Sequence, residues 1–89
     1  MKKVFILVCD WVADYENGVD FIDTFESKDS AVKALKDFVK NEKETSWISD
    51  YLDDMDFDEY EETEDTFCAY AKDYRYCTDV YIVEKTTKK

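Results

Sequence analysis

Val4-Phe5-Ile6-Leu7-Val8-Cys9 is the longest apolar run in the chain, and its composition decides the class of fold. Side chains at successive positions of a strand point to opposite faces, and here both sets are apolar, as in a strand that is buried on both sides. A second run of this kind, Val80-Tyr81-Ile82-Val83, lies near the other end of the chain. We therefore expect the first and last strands to lie at the centre of one sheet.

A hairpin is predicted directly after the first run. Residues 19–25 are strand-like, and Gly18, the only glycine, follows an asparagine, which is typical of a turn that needs a positive φ. A three-residue loop, Glu16-Asn17-Gly18, pairs Cys9 with Phe25 and places most apolar residues of the two strands on one face. We therefore predict a bulged hairpin with Gly18 in the left-handed conformation.

Two helices are predicted between residues 27 and 55. Ser27 is a good N-cap, and apolar residues then recur at helical spacing to about residue 42. Thr45 or Ser46 can cap a second helix, which would bury one apolar stripe. That stripe consists of Trp47, Ile48, Tyr51, Leu52 and Met55. The acidic residues 56–65 are predicted to form a loop.

Two more strands, Thr66 to Lys72 and Cys77 to Glu84, are predicted at the end of the chain, joined by a short turn near Asp73-Tyr74-Arg75. The element order is then β-β-α-α-β-β. The simplest arrangement is an α+β fold: a four-stranded antiparallel sheet of order 2-1-4-3 with two helices on one face. With 89 residues, a single glycine and no proline, residues 1–89 are expected to form one domain without linkers.

Several functional classes are disfavoured by what the sequence lacks. An apolar run of six residues is too short to cross a membrane and lacks the design of a signal peptide, so a cytoplasmic protein is expected. There is no histidine, no glycine-rich phosphate loop, and no base near the cysteines Cys9, Cys68 and Cys77, which we expect to be reduced. We therefore expect no enzymatic activity, no cofactor and no metal centre.

The negative charge of the chain is concentrated in one segment. The net charge is −11, and residues 44–71 contain eleven acidic residues and no basic one. A block of like charges repels itself, whereas mixed charges would keep the protein in solution at a lower cost in stability. The same region is interleaved with tyrosine and phenylalanine, and tyrosine is favoured in interfaces because its rigid ring loses little entropy on binding.

This pattern predicts that the protein binds a basic surface of another protein. Where the chain is extended, the carboxylates of Asp54, Asp56 and Asp58 would repeat roughly every 7 Å, which is of the order of the phosphate spacing along a nucleic-acid strand. The predicted contact residues are Asp50, Asp53, Asp54, Asp56, Asp58, Glu59, Glu61, Glu62, Glu64 and Asp65, with Tyr60 and Tyr74 as aromatic anchors. Direct binding to nucleic acid is not expected, because an acidic surface repels phosphates.

A short acidic chain with clusters of Asp, Glu and Tyr on a compact α+β scaffold resembles the nucleic-acid-mimicking inhibitors of phages and mobile elements, including anti-CRISPR proteins. The opening Val4-Phe5-Ile6-Leu7, together with Gly18-Val19, Phe25, Ser27 and Ala31-x-x-Ala34-Leu35, is also similar to many short phage and bacterial proteins. The mimic resemblance implies competition with DNA or RNA for a nuclease or another nucleic-acid-binding protein. It assigns a role to no individual residue.

Two other functions stay open at this point. Asp54-x-Asp56-x-Asp58 matches the first three ligand positions of an EF-hand loop, although Glu59 stands where that loop needs glycine, so a divalent-cation-binding acidic-loop domain is one alternative. The other is a small structural or assembly protein whose acidic face only keeps it in solution. The sequence does not define the oligomeric state.

Overall fold

The computed structural model describes residues 2–87. Its elements are strands β1 (Lys2–Ala13) and β2 (Glu16–Phe25), helix α1 (Lys28–Thr45), a short 3₁₀ turn (Trp47–Asp50), and strands β3 (Glu59–Glu62), β4 (Phe67–Ala71) and β5 (Tyr76–Thr87).

The strands form one antiparallel sheet in the order β2-β1-β5-β4-β3. Strands β1 and β5 are paired over their whole length, from Lys2 opposite Thr87 to Ala13 opposite Tyr76. The two apolar runs therefore lie side by side in the middle of the sheet, where a strand that is apolar on both faces loses the most contact with water.

The predicted fold class is wrong, because the sheet has five strands and only one helix packs on it. The second helix is replaced by the 3₁₀ turn Trp47–Asp50. Ser46 ends α1 by donating its backbone N–H to the Glu42 carbonyl, and its side chain accepts from the Ile48 N–H and so caps the turn. The residues that follow this turn are acidic and have no basic partner one helical turn away. Such carboxylates would destabilise the C-terminal end of the predicted second helix.

The predicted loop over residues 56–65 is also wrong, because it contains strand β3. Glu59–Glu62 pairs with β4, and Tyr60 lies opposite Ala69. The segment alternates between residues that face the helix and residues that face away. Tyr60 packs against the core, whereas Glu59 and Glu61 are exposed. One partly buried tyrosine and an antiparallel neighbour are therefore enough to make this acidic segment extended.

The hairpin between β1 and β2 turns two residues earlier than predicted. Asp14 and Tyr15 form the turn with φ values of 56° and 100°, and Gly18 lies within β2, opposite Trp11. Cys9 consequently pairs with Asp20 and not with Phe25. The glycine is required by space and not by its φ angle, because a Cβ at this position would lie 2.8 Å from Cζ2 of the Trp11 indole.

Helix α1 covers one face of the sheet. It begins at the predicted cap, where the Ser27 side chain accepts a hydrogen bond from the Ser30 N–H at 3.2 Å. Ala31, Leu35 and Val39 are buried against the strands, and each buried Leu or Val side chain contributes about 2 kcal/mol through loss of apolar surface to water. The core consists of Leu7, Cys9, Leu35, Val39, Ile48, Phe67, Ala69 and Val80.

The other face of the sheet, which we call the open face, is covered by no element among residues 2–87. Leu7, Cys9 and Val80 point to the helix. Because side chains alternate between the two faces of a strand, the residues next to them in the chain, such as Val8 and Asp10, point away from it. The open face is therefore a structured surface that is free to meet a partner. Within the described part of the chain, no helix is both long and apolar enough to span a membrane.

Candidate functional site

Two aspartates meet on the open face at the centre of the sheet. Asp10 of β1 lies directly opposite Asp79 of β5, and both are partly buried. Like charges at opposed positions of an antiparallel pair are destabilising. Neither carboxylate forms an ion pair with any residue between 2 and 87. The sheet therefore holds two negative groups together with no cation to neutralise them.

Tyr70 of β4 fixes the orientation of Asp79. Its hydroxyl donates a hydrogen bond of 2.7 Å to Oδ1 of Asp79. Burial raises the pKa of Asp79, Asp10 and Glu59 raise it further through their negative charge, and the hydrogen bond from Tyr70 acts in the opposite direction. The pKa of Tyr70 is raised, mainly because its proton is held by Asp79. The hydroxyl therefore stays protonated and orients one oxygen of Asp79.

Strand β3 adds two more carboxylates on the same side. Glu59 pairs with Tyr70, and Glu61 pairs with Cys68, which itself lies opposite Asp79. Residues that pair across neighbouring strands share a face of the sheet. The charges of Asp10, Asp79 and Glu61 thus form a row across four adjacent strands, roughly 14 Å long at the usual spacing between strands. We call Asp10, Asp58, Glu59, Glu61, Tyr70, Tyr74 and Asp79 the acidic patch.

Tyr74 stands at one end of the acidic patch, on the turn between β4 and β5. Lys72, Asp73 and Tyr74 all have positive φ, at 53°, 56° and 65°, a conformation that costs roughly 1–2 kcal/mol for each such residue. The Tyr74 N–H donates to Oδ2 of Asp58 at 3.1 Å, and its ring packs on that of Tyr70 with centroids 5.6 Å apart. The strained turn therefore holds an aromatic ring, 53% exposed, next to the carboxylates.

An apolar patch borders the acidic patch on the side of β2. It consists of Ile6, Val19, Phe21, Tyr81 and Val83, which surround the buried side chain of Val8. Phe21 and Tyr81 flank Val8 on either side, and the Phe21 side chain is 74% exposed. Exposed aromatic and aliphatic side chains that are contiguous and bordered by polar groups mark an interaction surface.

The structure brings only some of the predicted contact residues into this site. Asp58, Glu59, Glu61 and Tyr74 belong to the acidic patch. Glu62 is on the helix side, where it forms an ion pair with Lys43.

Tyr60, predicted to be an exposed anchor, contributes to the hydrophobic core. Its ring packs against Phe57 and Phe67, with centroid distances of 4.9 and 5.5 Å, and the ammonium of Lys43 lies 5.9 Å from its centroid. It is therefore placed to stabilise the fold.

The remaining predicted residues lie outside the acidic patch. Asp50 is exposed at the end of the 3₁₀ turn, Asp53, Asp54 and Asp56 are exposed between that turn and β3, and Glu64 is exposed in the turn before β4. Asp65 forms an ion pair with Lys28 on α1, at 3.5 Å. Within residues 2–87, no group of three or more carboxylates or thiols is placed to hold a metal ion. The geometry therefore gives no support to the EF-hand alternative.

Three residues of the acidic patch were missed from the sequence: Asp10, Tyr70 and Asp79. The sequence did contain a signal for the two aspartates. Asp10 is two positions from Val8 and Asp79 is two positions from Tyr81, so each lies on the same face of a central strand as an apolar residue. Their meeting depends on the pairing of β1 with β5 in this register, which alternation alone does not define.

The cysteines offer no nucleophile at this site. Cys68 and Cys77 are free thiols on β4 and β5, and their pKa values are raised, mainly by burial and then by the charge of Asp79. The Cys77 thiol lies 3.3 Å from the Tyr74 carbonyl, to which it donates. A thiol whose pKa is raised carries little thiolate near neutral pH, so it reacts slowly.

No protein-family model matches the chain, and neither do any of the curated proteins or solved structures with which it was compared.

Proposed function

We propose that this protein binds a basic surface of another protein through the open face of its sheet. The observation that supports this most is the Asp10–Asp79 pair, two opposed and partly buried carboxylates without a cation, on a face that no element among residues 2–87 covers. A partner's arginine or lysine placed over them would relieve the repulsion. Charge-assisted hydrogen bonds to carboxylates are among the strongest that proteins form.

The neighbouring groups complement such a contact. Tyr74 and Tyr70 offer ring faces on which a guanidinium can stack, and Tyr70 already orients Asp79. The apolar patch around Phe21 adds surface whose burial does not depend on salt. The expected interface therefore has a salt-sensitive half at the acidic patch and a salt-insensitive half at the apolar patch.

The partner we propose is a nucleic-acid-binding protein, such as a nuclease, whose phosphate-binding surface accepts the row of carboxylates. Such a surface carries lysine and arginine at intervals set by phosphates, and binding to it weakens steeply as salt is added. The protein would then act as an inhibitor that competes with DNA or RNA. No contact between this protein and nucleic acid itself is involved.

Self-association through the open face is disfavoured by charge. A second copy placed face to face would bring the acidic patches towards one another and increase the repulsion. The free edge of β2 is protected as well, since Asp20 and Asp23 lie on that strand and a bulge interrupts its pairing after Leu7. The structural or assembly alternative therefore has less support than a basic partner.

The experiment is a capture from host lysate followed by competition. The wild-type protein is compared with a double variant, Asp10→Asn with Asp79→Asn, and with a control, Asp53→Asn with Asp54→Asn, which removes two exposed charges outside the acidic patch. The proposal predicts a partner that is retained by the wild type and the control, lost by the double variant, and displaced by added nucleic acid. Equal retention by all three proteins would overturn it.

A further inference from the structure

A cleft of about 340 Å³ opens on the helix side of the sheet, away from the open face. It lies between the second half of α1 and the β1–β2 edge, and Cys9, Trp11, Asp20, Phe38, Glu42 and Trp47 are among its lining residues. A cleft of this volume is within the range of small-molecule sites in proteins.

The aromatic walls of the cleft are held in place by specific contacts. Gly18 leaves the space that the Trp11 indole fills, since any Cβ there would contact the ring. The Trp47 indole N–H donates to Oγ1 of Thr78 at 3.3 Å, and the Trp47 ring packs edge-on against Tyr51. Two indole rings thus line one cleft in defined positions.

Two carboxylates share the cleft with these rings. Asp20 lies opposite Cys9 on the neighbouring strand, and Glu42 lies one helical turn after Phe38. Both negative charges act on the Cys9 thiol, whose pKa is raised to about 12, mainly by burial. Burial also raises the pKa of Glu42. Within residues 2–87, neither carboxylate has an ion-pair partner.

We propose that this cleft binds a compact organic cation, an ammonium or guanidinium group carried on an apolar body. Indole is the ring that attracts such cations most strongly, and desolvated sites strengthen the attraction. An anion would be repelled by Asp20 and Glu42, and a neutral apolar molecule would cover the half-buried Glu42 carboxylate without offering it a partner. A hard metal ion would gain nothing from the indole walls. The site is on the opposite side from the open face and does not depend on the function proposed above.

The cation has two possible sources with the same chemistry. It can be a free small molecule, or it can be an arginine or methylated lysine side chain of a peptide. Trp11 and Trp47 are the only tryptophans in the chain, so intrinsic tryptophan fluorescence reports on this cleft alone.

The test titrates the protein with choline, with the neutral carbon isostere of choline, and with a short peptide carrying one trimethylated lysine. The proposal predicts a saturable change in tryptophan emission with a cation, and roughly 2- to 30-fold weaker binding of the neutral isostere. Tighter binding of the peptide than of choline would identify a side chain as the source, and the reverse order would identify a free cation. Equal binding of choline and its isostere, or no response to either cation, would overturn the proposal.

A matched pair of variants locates the site. Glu42→Gln removes the half-buried carboxylate, and Glu44→Gln removes an exposed one on the same helix. Binding is expected to weaken about tenfold in the first variant and to stay unchanged in the second. If Glu42→Gln fails to fold by circular dichroism, Asp20→Asn makes the same comparison from the opposite wall. Unchanged affinity in a folded variant of either wall residue would rule out this cleft.

Discussion

Asp10 and Asp79 lie directly opposite each other on the two central strands, on the face of the sheet that no described element covers. Natural sheets place opposite charges or apolar pairs at such positions, since like charges there reduce stability. The pair therefore costs free energy in the isolated protein. A residue pair that reduces stability without helping to build the core is expected at a binding site.

The first prediction concerns this cost. Asp10→Asn removes one of the two charges while keeping the shape of the side chain, so the isolated protein should become more stable by roughly 0.2–1 kcal/mol. Urea denaturation measures the change in the free energy of unfolding. Asp53→Asn, which removes an exposed charge outside the acidic patch, is the control and should change the stability less. A destabilised Asp10→Asn protein would show that the pair is not repulsive.

The second prediction concerns pH. The pKa of Asp79 is raised above its ordinary value of 3.8 in the folded state, so the folded protein binds this proton more tightly than the unfolded chain. Stability is then greatest below the ordinary value and is lost as pH rises through the raised pKa. Burial also raises the pKa of Glu42, so Glu42 contributes a pH dependence of the same sign. Assigning the change in stability to Asp79 therefore requires a comparison with a variant that lacks this carboxylate.

The measurement for this prediction is the melting temperature at about pH 7 and about pH 5, in the wild type and in Asp79→Asn. The wild type should gain stability as the pH falls, and the variant should gain less. An equal gain in both proteins would show that Asp79 titrates normally.

The third prediction concerns Gly18. Glycine to alanine within a strand ordinarily stabilises a protein, because the unfolded chain loses freedom. Here the added Cβ would lie 2.8 Å from the Trp11 ring, so Gly18→Ala should destabilise the protein by about 1–3 kcal/mol. Denaturant unfolding gives the sign of the change in the free energy of unfolding, and a shift in tryptophan emission should accompany the substitution. Asn17→Ala, one residue earlier, is the matched control. A Gly18→Ala protein more stable than the wild type would contradict the close approach of Gly18 to Trp11.

The fourth prediction concerns the β1–β2 turn. Tyr15 is 92% exposed and has a φ of 100°, in a two-residue turn that favours Asp-Gly. Tyr15→Gly should therefore stabilise the isolated protein by roughly 0.5–1 kcal/mol, because glycine adopts this conformation without strain. Thermal unfolding measures the gain. A lower melting temperature would mean that the tyrosine ring makes a stabilising contact.

Part of the fold follows from the sequence for physical reasons. The runs that begin at Val4 and Val80 are apolar on both faces, so their adjacent central positions could be predicted from the cost of exposing them. The start of α1 could be predicted from Ser27, since a serine side chain satisfies a free N–H of the first turn.

The rest depends on contacts between distant parts of the chain. Strand β3 exists because Tyr60 reaches the core and β4 offers an edge, which local composition does not reveal. The hairpin register depends on space beside Trp11 and not on the turn preference of Gly18. The acidic segment supplied three predicted carboxylates of the acidic patch, Asp58, Glu59 and Glu61, and Tyr74 was predicted beside them. Asp10, Tyr70 and Asp79 join them only through strand pairing.

The most direct test of the proposed function is the affinity of the captured partner for three purified proteins at low and at moderate salt. These are the wild type, the double variant Asp10→Asn with Asp79→Asn, and the control Asp53→Asn with Asp54→Asn. Removal of partly buried interfacial charges should weaken binding by roughly 30-fold or more, which corresponds to the cost of about 2 kcal/mol or greater for breaking such pairs. It should also flatten the salt dependence. The control should bind nearly as the wild type does. If the double variant binds with the affinity and the salt dependence of the wild type, the open face is not the binding surface.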